Sequence, residues 1–223
     1  MQRVLEPEVM DTSEEATEYD AMDFTEVNTT FAQRAIELSP QSGLILDAGT
    51  GTARIPILIC QQCPQLKIIA SDLSKNMLLI GSTNVEQAGL QKQISLELAD
   101  SKQLPYQDGQ FDMVISNSIV HHLPDPLPFL LEIKRVLKPN GAIFIRDLIR
   151  PLDEATMNAF VESIGRESDY DERQNMLLRD SLHAAFRLNE VNELVQKAGL
   201  EGVKVYQSSD LHWTAERKHS GAS

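Results

Sequence analysis

"LILDAGTGTARIP" (residues 44–56) is the stretch on which the fold turns. Leu44, Ile45 and Leu46 form an apolar run, Asp47 ends it, and Gly49 and Gly51 follow within four residues. The pattern predicts a buried strand entering a glycine-rich turn and then a helix over about 52–62, the unit from which doubly wound α/β sheets are built. Glycine at such a turn lets the backbone take positive φ and come close to a bound molecule.

Outward from this unit, strands and helices alternate. "KIIAS" (67–71), "ISLEL" (94–98), "DMVISN" (112–117) and "AIFIRDL" (142–148) are the further strand candidates. Helical spacing covers about 75–88 and 126–137, the latter closed by the Pro-Gly stop in "LKPNG". Strands that are apolar throughout imply a mostly parallel sheet covered on both faces. Before the first strand, "FTEVNTTFAQRAIEL" (24–38) is helical and stops at Ser39-Pro40. After the fifth, helices at about 152–165, 171–186 and 188–198 lead to "VKVYQ" and "LHWTAE", a hairpin that adds an antiparallel last strand. The expected fold is therefore a Rossmann-like, seven-stranded α/β sheet. One domain spans 24–215 with a helical cap within about 152–186, behind an acidic, mobile, lid-like leader over 1–23 and before a frayed tail over 216–223.

Composition bounds the function. The 223 residues, 42% of them hydrophobic, suffice for one buried core. No apolar run reaches bilayer length and the start has no signal-peptide core, so a cytoplasmic protein is expected. The net charge of −13, from 33 acids and 20 bases, argues against nucleic acid and anionic membranes as partners. Cys60 and Cys63 lie in a helical pattern with no second cysteine pair, and are read as small packing residues rather than a zinc or redox site.

The glycine turn narrows the ligand. A dinucleotide site needs G-x-G-x-x-G to receive a pyrophosphate, but Arg54 stands where the third glycine would fall, and Asp47 would repel the phosphates. The turn suits a ligand without phosphate and with positive charge. S-adenosylmethionine (SAM) has both properties: an adenosine carrying a sulfonium and an ammonium.

The D-x-G-x-G of Asp47, Gly49 and Gly51 resembles motif I of the class I SAM-dependent methyltransferases, with Ala53 in place of a common third glycine. The resemblance continues through "IIASDLS", "LELADSKQLPYQDGQFDMVISN", "SNSIVHHLPDP" and "EIKRVLKPNGAIFIRD", over residues 40–148, and is nearest to the small-molecule enzymes that include the ubiquinone and menaquinone C-methylases. It implies that Asp47 attracts the cationic end of SAM, that Asp72 accepts both ribose hydroxyls with Leu73 beside it, and that Asp100 accepts from the adenine amino group with Ser101 alongside the ring. It also implies a small-molecule acceptor, methylated by in-line displacement with S-adenosylhomocysteine (SAH) as the product.

Other readings accompany these residues. Asp47 also suits a turn cap, and Asp72 a helix cap, though Ser74 already fills that place. Asn117 ends the fourth strand, where it would meet the methionine moiety or the acceptor. His121 and His122 follow within one turn, as an acceptor-side base and orienting group or as a loop cap and a packing residue. No metal is expected, since no second ligand cluster accompanies the pair. Tyr19 either folds over the cofactor or belongs to a disordered leader. A SAM-binding module without activity and an NAD-dependent oxidoreductase are the rival functions, and a monomer or homodimer is expected.

Overall fold

A computed structural model describes residues 1–6 and 12–220. The chain begins with α1 (Ser13–Ala21) and α2 (Thr25–Leu38), followed by β1 (Gly43–Ala48), α3 (Arg54–Gln62), β2 (Leu66–Asp72), α4 (Lys75–Gln87) and β3 (Ile94–Leu98). It continues with β4 (Phe111–Asn117), a 3₁₀ turn (Val120–His122), α5 (Leu127–Val136), β5 (Leu137–Leu148), α6 (Glu154–Glu167), α7 (Glu172–Ala184), α8 (Leu188–Lys197), β6 (Lys204–Gln207) and β7 (His212–Arg217). The sheet order is β3-β2-β1-β4-β5-β7-β6. The first five strands pair in parallel, and β7 runs antiparallel to both β5 and β6.

The central strands are apolar along most of their length because both faces are covered. In β1, Ile45 packs toward α2 and α3 while Leu46 packs toward α5 and α8. Met113 and Ile115 of β4 share the first face and Val114 the second. Period-2 alternation thus distributes one apolar run between two cores. β1 is flanked by β2 and β4, so the chain reverses direction across the sheet there. Doubly wound folds place their ligand crevice at that point, outside the carboxyl ends of the strands.

Two expectations need correction. The "LKPNG" stretch does not merely stop a helix: Leu137 already pairs with Phe111, and the ladder resumes at Met113–Ala142 after a bulge that absorbs Pro139. The tail expected to fray from 216 is tied in as far as 220: β7 runs to Arg217, and the His219 and Ser220 amides donate to the Leu38 and Asn140 carbonyls. The described part of the leader, expected as a mobile, lid-like segment, makes contacts with the rest of the chain. The Met1 ammonium donates to the Leu152 carbonyl (3.0 Å), the Val4 amide to that of His183 (3.1 Å), and Arg3 to the carbonyls of Ala184, His121 and Leu123. The Arg3 guanidinium also lies 3.8 Å from the centre of the Phe186 ring. Its acidic composition suggested disorder, yet these contacts use backbone groups and one arginine, which composition does not weigh. Residues 7–11 and 221–223 of these two segments lie outside the described residues.

Cys60 is buried in α3 and Cys63 caps it; both are free thiols, and burial pushes Cys60 up to about 12. No helix among the described residues is long and apolar enough to cross a membrane.

Candidate active site

The turn after β1 is built on backbone strain that glycine relieves. Gly49 and Gly51 take φ of 79° and 55°. The Gly49 and Thr50 amides donate to the Ser71 carbonyl at 2.8 and 2.9 Å, which pins the turn to β2. A methyl group on Gly49 would overlap Ile119 at 2.3 Å, so this position needs glycine for space as well as for φ. Ala53, at the third small position, also has positive φ (62°) and is fully buried. An L-residue there costs about 1–2 kcal/mol, which the surrounding packing must offset.

Two carboxylates flank this turn. Asp47 is 2% exposed, and its Oδ2 is buried with no hydrogen-bond partner among the described residues. Burial raises its pKa to about 7, with a further push from Asp72 and an opposing pull from Thr50. A buried acceptor left without a donor is costly, and it marks where a polar or cationic ligand is expected. The Asn117 Oδ1 at the end of β4 is also buried without a partner among the described residues.

Asp72 is more occupied than the sequence suggested. Its Oδ2 accepts from the Gly51 amide at 2.8 Å and its Oδ1 from the Ser74 amide at 2.9 Å. Ser74 is the cap of α4, accepting from the Met77 amide. A carboxylate has about four lone-pair sites, so Asp72 retains capacity for a diol. Burial raises its pKa, against the pull of these backbone donors.

Tyr19, Gly49, Gly51, Asp72, Leu73, Ser101, Asn117 and His122 line one cavity at the carboxyl edge of the sheet. Asp47 lines an adjoining cavity that shares Tyr19, Gly49 and Asn117 with the first. Two expected residues stand back from the cleft. Asp100 lies just outside the wall that Ser101 forms, accepting from the Lys102 amide and pairing with its ammonium at 3.0 Å.

His121 is 4% exposed and does not line the cavity. Its Nδ1 lies 2.5 Å from Asp147 Oδ1, while the other Asp147 oxygen accepts from the Val120 amide. Burial alone would lower the His121 pKa, but Asp147 and Glu6 outweigh it and hold it above the ordinary value. The 3₁₀ turn therefore sends adjacent histidines to different surroundings, His122 to the cleft and His121 to the interior.

Tyr19 reaches the site because α1 is clamped in place. Asp20 accepts from Arg54 at 3.0 and 2.7 Å and from Asn84 at 3.2 Å, which joins α1 to α3 and α4. The ring then sits 3.6 Å from where a methyl group on Gly51 would be. Its hydroxyl is pushed up to about 12 by burial, with Asp72 and Asp47 adding to the shift. Arg54, which denies the dinucleotide motif its third glycine, acts here as the clamp. Glu6, Arg3 and the Asp20–Arg54 pair carry no signal in the sequence, because no local periodicity marks a contact between distant segments.

The central stretch of the chain, residues 46–145, matches the family model described as a methyltransferase domain. Residues 46–145 therefore carry a methyltransferase domain. Among curated relatives, this domain is similar to a ubiquinone/menaquinone biosynthesis C-methyltransferase of a Geobacter species, at 31% identity over 122 residues, 54% of this chain. That match spans 52% of the relative, so the chain covers about half of its length. A demethylmenaquinone methyltransferase of Bacillus cereus is 29% identical over 184 residues, which are 77% of this chain and 75% of that one. The fold of the chain also matches the crystal structure of a SAM-dependent methyltransferase from Aquifex aeolicus, with a TM-score of 0.68 at 18% identity over 94% of this chain and 99% of that one.

Proposed function

We propose that this chain transfers a methyl group from SAM to a small-molecule acceptor. The observation that carries the reading is the unpaired, buried Asp47 oxygen beside the Gly49–Gly51 turn, with Asp72 across it at the end of the next strand. A cation is needed at the first acid and a hydroxyl-bearing group suits the second, a combination that a phosphate-rich dinucleotide does not offer. When bound, SAM supplies a methyl group already activated by its sulfonium. Asp47 and Asn117 receive the methionine end, Asp72 accepts the ribose hydroxyls, and Leu73 and Ser101 flank the adenine. Tyr19 on α1 covers the turn and excludes water. His122 borders the cleft on the acceptor side, where it orients the acceptor or takes its proton. Alignment of donor and acceptor supplies most of the remaining rate, of which ~7–11 kcal/mol is attainable in favourable cases.

Calorimetry with SAH tests the donor half. Binding one-to-one at about micromolar affinity is expected, on the order of −8 kcal/mol, and Asp72→Ala should weaken it by ~1.5–3 kcal/mol. SAH should raise the melting temperature and NADH should not. Turnover of methyl-labelled SAM against a panel of small acceptors tests the transfer itself. Folded protein that binds SAH but labels no acceptor would favour a SAM-binding module instead.

A further inference from the structure

The 3₁₀ turn holds the His121 and His122 rings side by side, with centroids 4.1 Å apart. The anchored leader lays Glu6 against both of them. Its Oε1 lies 3.3 Å from His121 Nε2 and 3.2 Å from His122 Nδ1, yet it is buried and accepts a hydrogen bond from neither ring. Its other oxygen accepts from Ser181 of α7 at 3.2 Å. One ligand atom from each of Glu6, His121 and His122 lies within 4.8 Å of the other two.

We propose that Glu6, His121 and His122 form a binding site for a divalent transition-metal ion of the zinc class. Charge-assisted hydrogen bonds are ~2.7–2.9 Å long, shorter than either separation seen here. Nitrogen and oxygen donors held ~2.0–2.1 Å from one tetrahedral ion lie about 3.3 Å from each other, which both separations match. Two imidazoles and one carboxylate are the donor set of zinc-class ions rather than of magnesium or calcium, which prefer oxygen alone. The arrangement behind the ligands agrees. Asp147 accepts from Nδ1 of His121 and so points the Nε2 lone pair toward Glu6, as the carboxylates behind metal-bound histidines do. With Glu6 and Asp147 both ionised, an ion of charge +2 faces two carboxylates. Arg3 does not take that place, because its guanidinium is turned onto the carbonyls of His121 and Leu123.

Three protein ligands leave one position of a tetrahedral ion open, as in sites that also bind water or substrate. His122 borders the cleft, so the ion would stand at its wall and tie the leader to it. Metal binding itself does not depend on the proposed methyl transfer, and only a role for the open position toward an acceptor rests on that reading.

The test uses the full chain stripped with a chelator and shown by circular dichroism to be folded. Zinc alone is titrated by calorimetry, bound metal is counted by elemental analysis, and cobalt(II) reports tetrahedral geometry through its visible absorption. One equivalent per chain and a tetrahedral cobalt spectrum are expected. Outer-sphere partners alone are worth ~10–100-fold in metal affinity, so Glu6→Gln and His122→Gln should each weaken zinc by about that much or more. A folded wild type that takes up no stoichiometric zinc would overturn the proposal, as would variants that bind like the wild type. SAH titrated into the metal-free protein separates the two readings. SAH binding without zinc binding sinks only the metal site, and zinc binding without SAH binding sinks only the methyl-transfer reading.

Discussion

Replacing Asp47 by Asn removes a charge that the ligand-free fold buries at a cost. The carboxyl pKa rises from 3.8 to about 7, and burial is the largest cause. The shift is roughly 3 pH units, and each unit is worth ~1.4 kcal/mol, so the ionised form is disfavoured on the order of 4 kcal/mol. The sign follows from proton counting. Between about pH 4 and pH 7 the folded chain keeps a proton that the unfolded chain has released, so stability falls as pH rises through that window and is flat above it.

Asp47→Asn should therefore lose this slope. It should match the wild type near pH 4 and exceed it by up to roughly 4 kcal/mol at pH 8, as measured by urea unfolding of the ligand-free protein. Ligand binding should show the opposite dependence. The ammonium of SAH selects the ionised carboxylate, so wild-type affinity should rise by up to about tenfold per pH unit below pH 7, with release of a proton. In Asp47→Asn this rise should vanish and the affinity at pH 8 should drop. An Asn variant that is no more stable at pH 8 and keeps the wild-type slope for SAH would refute the assignment of a buried, cation-seeking carboxylate.

Gly49→Ala forces a Cβ into Ile119 at positive φ, and should cost roughly 2–5 kcal/mol by denaturant unfolding. His122→Ala should lower turnover with the true acceptor by ~10²-fold while SAH affinity measured by calorimetry barely moves. Arg54→Ala breaks a half-exposed pair with Asp20, so global stability should fall by only about 1 kcal/mol, whereas hydrogen exchange in α1 should quicken clearly. SAH should slow exchange over residues 12–21 in the wild type, and no change there would separate α1 from the site.

The placement of the proposed donor residues was legible because it is local. Asp47, Gly49 and Gly51 fall within five consecutive residues, and strand periodicity alone places them at the carboxyl edge. Asp72 was equally legible, since it ends the next parallel strand. Its bonds to the Gly51 and Ser74 amides were not, because they depend on how two turns meet. Asp100 shows the limit of reading position without geometry: it falls in the expected segment, but the turn directs its carboxylate to its own loop. The β5 bulge was hidden for a related reason, as Pro and Gly mark both a turn and an interrupted ladder.

The alternation of strand and helix, the two buried faces and the acid beside the glycines follow from neighbours in the chain, since the pleat and the helical turn repeat over a few residues. The surroundings of the histidine pair do not. His121 and His122 are consecutive, and only the 3₁₀ turn and the approach of Asp147 from β5 decide that one faces the cleft and the other the interior. Glu6 meets both from the far end of the chain because Arg3 docks on carbonyls near residue 121 and on Ala184. Such contacts are selected by the closing of the whole fold, where each loop has already been brought to its place by the core. An acidic leader read alone carries no trace of them.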